Sequence, residues 1–360
     1  MNNPVQSTGH RTEQLAGSSA ERQAGSSTEQ RVIDSLCQWL GDGESAWLCT
    51  IVSTWGSSPR PAGSILAFHP DYGIVGSLSG GCIEEALIRK LSSASQENET
   101  DVAPYLYQYA ITDDDRTQYS LPCGGQLTVL VEHLVPTAET IQHVRIICNV
   151  LNNRQSVRRQ VSLKGEGANI ITEPGAVAGP AVMTSPDYVA TRFGPTFKML
   201  LLGAGEVSYH VAKIAGTVDF SVTLCDPRPT FLQGWQCEGV EVIQCLPDDL
   251  VKARFSDPYC AILALAHDPR VDDMALMEAL KTNAFYIGAM GSLKTTKDRL
   301  NRLAELDCSS SEIEKLHAPV GVNIGSKTPA EIAISIMAQV IAERHRFLNG
   351  DRNKLAADVE

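Results

Sequence analysis

No two cysteines in this 360-residue chain are spaced as CxxC, although ten are present. They stand at 37, 49, 82, 123, 148, 225, 237, 245, 260 and 308, without the short ligand spacing of a structural zinc site. The N-terminus lacks the apolar core of a signal peptide. The thiols therefore read as reduced and cytoplasmic rather than as a disulfide framework. No apolar run approaches the roughly 20 residues needed to cross a bilayer. Basic charge is short as well: 30 Lys and Arg against 42 Asp and Glu leave a net charge of −12. A general nucleic-acid binder needs clustered Lys and Arg, so that class is excluded. What remains is an ordinary globular composition, 43% hydrophobic and 20% charged. The length allows two domains, each with its own core.

Residues 1–27 are rich in Ser, Gly, Gln and Glu, with Ala16-Gly17-Ser18-Ser19 repeated as Ala24-Gly25-Ser26-Ser27. So few apolar residues predict a disordered tail. Ser26 and Glu29 form a capping-box pattern that opens a helix with Val32, Ile33, Leu36, Cys37 and Leu40 on one face. Short β-type runs follow at Ala46–Thr54, Ser64–Phe68, Ile74–Leu78, Tyr105–Ala110 and Gln126–Glu132. A helix from Cys82 to about Leu91 interrupts them, ahead of a polar loop over Ser92–Asp101. This predicts an α+β module over 28–135. Residues 136–195 read as a connector that extends the first module, opening with a helix after Pro136-Thr137. Residues 196–347 alternate strand and helix, the pattern of a Rossmann-like doubly wound parallel sheet. Its strands are expected at Lys198–Leu202, Phe220–Cys225, Val240–Gln244, Cys260–Ala266, Ala284–Ile287 and Val320–Ile324. Thr328-Pro329-Ala330-Glu331 is a capping box with Pro in the first turn. Residues 348–360 read as a tail.

The chemistry-bearing stretch of the first module is Ser79-Gly80-Gly81-Cys82-Ile83-Glu84-Glu85. Paired glycines let another molecule approach the backbone. A thiol at a helix N-terminus is made more acidic by the helix dipole, hence a better nucleophile or metal ligand. Cys123-Gly124-Gly125 mirrors the motif, and the two thiols read as one site. The competing reading is two buried cysteines acting as small apolar residues. Arg60, held between Pro59 and Pro61, suits bidentate recognition of phosphate or carboxylate, or simply marks a turn. Glu84 and Glu85 suit the positive end of a helix dipole.

In the second module Gly203-x-Gly205 lies between strand and helix, where backbone amides hold phosphate. Asp226, at the end of the next strand, stands where a ribose-binding acid belongs. Ser208 replaces the third glycine of that fingerprint. His267-Asp268 ends the fourth strand, either as a proton-transfer pair or as a helix cap beside a polar histidine. Gly288-Ala289-Met290-Gly291-Ser292 precedes a helix carrying Lys294, Lys297, Arg299 and Arg302, which reads as an anion site or as a solvated face.

Taken together, GSSPRPAGS, GSLSGGCIEEAL and LPCGGQLTVLVE resemble the N-terminal domain of the xanthine dehydrogenase accessory factor family (XdhC/CoxI). LLGAGEVSYH, LCDPRPTF, ALAHDPRVDDMALMEAL, YIGAMGSLKTTKDRL and HAPVGVNIGSKTPAEIAISIMAQVIAE resemble its C-terminal Rossmann domain, in order. The resemblance covers about residues 30–345. It departs at Glu206, where the family often has His, and at Ala266, where it often has Thr. What it implies is a maturation chaperone that binds molybdenum cofactor, holds it for sulfuration and delivers it to a xanthine dehydrogenase-type hydroxylase. The implied metal-facing residues are Cys82 and Cys123, with Arg60, Gly80, Gly81, Gly124 and Gly125 around them. Gly203, Gly205, Asp226 and His267 complete the implied cofactor-binding set. The cofactor is molybdopterin or its cytosine dinucleotide form. The implied partners are an apo molybdenum hydroxylase, a cysteine desulfurase and a second copy of the chain, with no nucleic acid or membrane among them. The alternative reading is an NAD(P)-dependent oxidoreductase with His267 as acid or base.

Overall fold

A computed structural model describes residues 27–55, 60–79, 82–96, 103–109, 126–165, 167–171, 174–175 and 178–350, with backbone alone at Cys82, Ile83 and Gln96. The predicted N-terminal tail and Ser26 of the first capping box lie outside these residues. The chain divides into two compact units, one of Thr28–Thr196 with His345 onward, the other containing Phe197–Arg344.

The first unit opens with α1 (Thr28–Gly41), β1 (Ala46–Trp55), β2 (Ile65–His69), β3 (Gly73–Gly76) and α2 (Cys82–Gln96). β4 (Tyr105–Tyr109), β5 (Gln126–Leu134) and α3 (Ala138–Asn152) follow. The strands form one antiparallel sheet in the order β3-β2-β1-β5-β4. β1 is apolar on both sides because both sides are covered. Ala46 and Leu48 pack with Val32, Leu36 and Leu40 of α1 and Ile147 of α3. Trp47, Cys49 and Ile51 pack with Leu87 and Leu91 of α2. The expected polar loop after Leu91 is instead further helix, through Gln96. Its serines bond back to the preceding turn, Ser93 Oγ to the Arg89 carbonyl and Ser95 Oγ to that of Leu91. Ser95 also accepts the Trp47 indole N–H at 3.0 Å, which ties this extra turn to the sheet.

β6 (Val157–Ser162), β7 (Ala168–Ile170), β8 (Val182–Thr184) and β9 (Tyr188–Phe193) form a second antiparallel sheet in the order β7-β6-β9-β8. Arg159 of β6 grips Glu132 of β5 with two parallel bonds of 2.9 and 2.7 Å, both side chains buried. Arg159 Nε donates to His143 Nε2 at 3.0 Å. Burial and the adjacent Arg159 charge push the His143 pKa down to about 4, so the ring is a neutral acceptor.

The second unit holds β10 (Phe197–Leu202), α4 (Glu206–Thr217), β11 (Phe220–Cys225), α5 (Pro229–Leu232), β12 (Glu241–Ile243) and α6 (Pro247–Arg254). It continues with β13 (Cys260–Ala264), α7 (Pro269–Ala279), β14 (Tyr286–Ala289), α8 (Leu293–Glu305), α9 (Ser310–Ile313), β15 (Leu316–His317) and α10 (Pro329–Asn349), whose last turn belongs to the first unit. The six strands are parallel in the order β12-β11-β10-β13-β14-β15. This is the doubly wound Rossmann order, reversing at β10 and β13. α4 and α10 bury one face, and α6, α7 and α8 bury the other. The sixth strand is Leu316–His317, not Val320–Ile324. Pro319 has no amide for the ladder, and Gly321, at φ +94, turns the chain against Ser335 of α10. The Thr328–Glu331 capping box forms, with Glu331 Oε2 accepting the Lys327 and Thr328 amides.

Candidate functional site

Cys82 is the first residue of α2, so its backbone stands at the positive end of that helix. Two residues on, Glu84 reaches back out of the helix. Its Oε1 accepts from Ser77 Oγ at 2.7 Å, from the Ser79 amide at 2.8 Å and from the Leu78 amide. One carboxylate oxygen thus shapes the turn that delivers the chain to Gly80-Gly81-Cys82. Glu85 instead pairs with Arg89 on the exposed helix surface. The Ser79 hydroxyl is buried and has no hydrogen-bond partner among the described residues. A buried polar atom left in that state calls for a ligand or a water.

Arg60 is exposed and directly precedes the segment 61–64 that leads into β2. That segment is pinned: the Gly63 amide donates to the Ile51 carbonyl at 2.8 Å. Gly63 has φ +91, and a Cβ there would lie 2.8 Å from that of Ala181. The site therefore begins on a fixed backbone. Gly80, Gly81, Cys123, Gly124 and Gly125 lie outside the described residues, as does the Cys82 side chain.

The other candidate cluster sits at the C-terminal edge of the parallel sheet. Gly203 has φ +102, and a Cβ there would lie 2.4 Å from the Ala266 Cα. Only glycine lets the β10–α4 turn pass the end of β13 this closely. Gly205 caps α4 with open space around its Cα. Ser208, at the third glycine position, is fully buried, and its hydroxyl donates to the Gly203 carbonyl at 2.6 Å. The substitution thus adds a bond within the turn.

Asp226 is fully buried and committed. Oδ2 accepts the Ala204 amide at 2.9 Å and Arg228 Nη2 at 2.8 Å, while Oδ1 accepts the Arg228 amide and Nε at 2.9 Å each. Although burial opposes ionisation, the bonds from Arg228 and Ala204 leave the carboxyl below the usual range. In this arrangement the edge presents the Arg228 guanidinium, stacked 3.8 Å over the Phe231 ring, while the carboxylate braces the turn. Arg228 is not among the candidate site residues that stand out in the sequence. Its signal was an arginine two residues past the ribose-type acid, the position from which such folds accommodate a phosphate.

His267 is exposed with φ +55, and Asp268 caps α7 by accepting the Arg270 amide at 3.0 Å. The basic helix divides. Lys294 and Lys297 are exposed, but Arg299 is buried, bonded to Asp273 at 3.0 Å, Asp272 at 3.2 Å and the Met290 carbonyl at 2.9 Å. Arg302 also pairs with Asp273, at 2.7 Å. These two arginines are structural. Burial pushes the Asp272 pKa up to about 6 against the opposing pull of the Ala266 amide and Arg299. Among the described residues no group of three or more His, Cys, Asp or Glu is arranged to hold a metal ion. Nor is any helix there long and apolar enough to cross a membrane.

Two family profiles match the chain: the XdhC and CoxI family over residues 39–109, and the XdhC Rossmann domain over 199–340. The chain belongs to the XdhC and CoxI family. A crystal structure described as a xanthine dehydrogenase from Bacillus halodurans superposes with a TM-score of 0.65 at 26% identity, covering 91% of this chain and 98% of that one. A Bacillus subtilis protein, named as a probable xanthine dehydrogenase subunit, is 26% identical over 318 residues, 83% of this chain and 93% of the relative. The molybdenum cofactor insertion chaperone PaoD of Escherichia coli is 23% identical over 300 residues, 82% of this chain and 83% of the relative.

Proposed function

We propose that this XdhC/CoxI family protein binds molybdenum cofactor and inserts it into a molybdenum hydroxylase of the xanthine dehydrogenase type. The observation that carries the reading is local to the N-terminus of α2. A cysteine opens the helix, a braced turn precedes it, and the Ser79 hydroxyl beside Gly80-Gly81 is buried without a partner among the described residues. This donor set fits the group: a soft thiolate suits a molybdenum–sulfur centre, and paired glycines admit a planar ligand. The names of the relatives, a cofactor insertion chaperone and a xanthine dehydrogenase subunit, point the same way.

In this reading Cys82 and Cys123 face the metal, Arg60 and the Ser79 hydroxyl hold the polar rim of the pterin, and Glu84 keeps the turn in place. When bound, the cofactor supplies the molybdenum centre that the client enzyme uses. Within the second unit, the Gly203–Gly205 turn with Arg228 and His267 offers a separate site for a phosphate or for a cytosine dinucleotide extension, and the buried Asp226 braces that site rather than lining it. Sulfur comes from a cysteine desulfurase, so the chain need not be a catalyst. The working form is a cytoplasmic homodimer.

The test is to purify the protein from a molybdenum-replete host and measure bound molybdenum and pterin fluorescence. The expected result is both together in the wild type, with loss in Cys82→Ala and Cys123→Ala. Tightly held NAD(P) without pterin would replace this reading with the oxidoreductase. Full pterin retention and full client maturation in both cysteine variants would end the thiol assignment.

A further inference from the structure

Two cysteines that the proposed function does not use face one another at the sheet edge. Cys225 ends β11, fully buried, and Cys245 lies just past β12, partly exposed. Their sulfur atoms are 3.7 Å apart, in contact but unbonded, and Cys225 Sγ also lies 3.5 Å from the Cys245 carbonyl oxygen. Cys225 is in register with Ile243 on the neighbouring parallel strand. Cys245 stands two residues beyond that register partner, and it is the side chains that close the gap: the sulfur contact at 3.7 Å leaves a side-chain adjustment of under about 2 Å to the ~2.05 Å of a disulfide.

We infer that Cys225 and Cys245 are a thiol-modification site that closes to a reversible disulfide on reaction with a low-molecular-weight disulfide. The partly exposed Cys245 meets the reagent first. Its thiolate attacks one sulfur, forming a mixed disulfide and releasing one reagent thiolate. Cys225 then gives up its proton to that thiolate and attacks the Cys245 sulfur, expelling the second reagent thiolate. Two protein thiols are oxidised, one reagent disulfide is reduced to two thiols, and a dithiol reverses the exchange. Burial and the adjacent Cys245 push the Cys225 pKa up to about 12, which assigns it the second, intramolecular step. The closed bond would staple the end of β11 to the segment beyond β12. The Cys225 carbonyl accepts the Gly203 amide at 2.9 Å, and the Asp226 amide donates to Ile243, so the staple lies directly under the Gly203–Gly205 turn.

A different thiol serves as the internal control. Cys148 donates to Asp34 at 3.3 Å and lies beside the Cys37 thiol, and burial, Asp34 and Cys37 together push its pKa up to about 12, which disfavours its thiolate. The experiment incubates the full chain with excess oxidised glutathione, then maps disulfides by non-reducing peptide mass spectrometry. The expected product joins the Cys225 and Cys245 peptides, two hydrogens lighter than their sum, and dithiothreitol restores both. Amide hydrogen exchange between the two cysteines should slow on oxidation. Cys245→Ser should abolish the cross-link, Cys225→Ala should leave a stable glutathione adduct on Cys245, and Cys148→Ser should change neither. No cross-link in the folded wild type, or one that pairs either cysteine with a different partner, overturns the inference. So does an unmodified Cys245 in a folded Cys225→Ala protein.

Discussion

Arg228 closes both oxygens of Asp226, its Nε 2.9 Å from Oδ1 and its Nη2 2.8 Å from Oδ2, while the Ala204 amide takes the remaining approach to Oδ2. The acid therefore couples the turn after β10 to the segment after β11. Arg228→Ala leaves a buried carboxylate with only its amide partners. The expected loss is about 3 kcal/mol, the lower end for breaking a buried pair, because the guanidinium is partly exposed. Urea unfolding of the variant measures it. A loss below about 0.5 kcal/mol, the range of an exposed ion pair, would show that the pair does not brace the turn.

Glu84 makes a parallel prediction for the other cluster. Its Oε1 gathers the Ser77 hydroxyl and the amides of Leu78 and Ser79. Glu84→Ala removes charge-assisted bonds worth roughly 2 kcal/mol, and Glu84→Gln, which keeps an acceptor oxygen, should lose less. Cofactor retention should fall in the same order with Cys82 intact. Thermal melting alongside pterin content checks both orders, and retention unaffected by Glu84→Ala would remove the residue from the site's support.

How much of this was legible in the sequence follows from how local each signal is. The parallel sheet could be read because its strands are short apolar runs between helices, and the Thr328–Glu331 cap formed as its spacing implied. The sixth strand was misplaced because Val320–Ile324 is as apolar as a strand, while Pro319 and the Gly321 turn deny it a ladder. Glu84 was visible as an acid in the first turn, but its reach back to residues 77–79 depends on a fold of the preceding chain that spacing does not encode. Arg299 looked like one more charge on a basic helix. Its burial against Asp272 and Asp273 arises only when α7 and α8 pack.

The Arg159–His143 contact gives a pH dependence. The folded state holds His143 near pKa 4, below its ordinary 6.5, because burial and Arg159 disfavour the charged ring. A depressed histidine binds its proton more readily when unfolded. Its contribution is therefore complete above about pH 6.5 and is lost as pH falls toward 4. The melting temperature of the wild type should drop across that interval. His143→Gln, which can still accept from Arg159 but cannot titrate, should show a flatter profile. Superimposable profiles would mean that the ring is not held neutral.

Gly203 and Gly205 separate a structural requirement from a binding one. A Cβ on Gly203 would lie 2.4 Å from the Ala266 Cα, on a backbone at φ +102, so neither neighbour nor dihedral can accommodate it. Gly203→Ala is expected to cost several kcal/mol, on the order of 3 or more for combined strain and overpacking. Gly205 has φ −109 and nothing within 4 Å of its would-be Cβ, so Gly205→Ala should fold with a change below about 1 kcal/mol. If this turn holds a phosphate of the cofactor, the added methyl stands in the path of the ligand. Equilibrium dialysis against the cytosine dinucleotide form should then show weaker binding by a protein of unchanged stability. Unchanged affinity in Gly205→Ala would move the phosphate elsewhere, and since that variant keeps the fold, the result could not be attributed to unfolding.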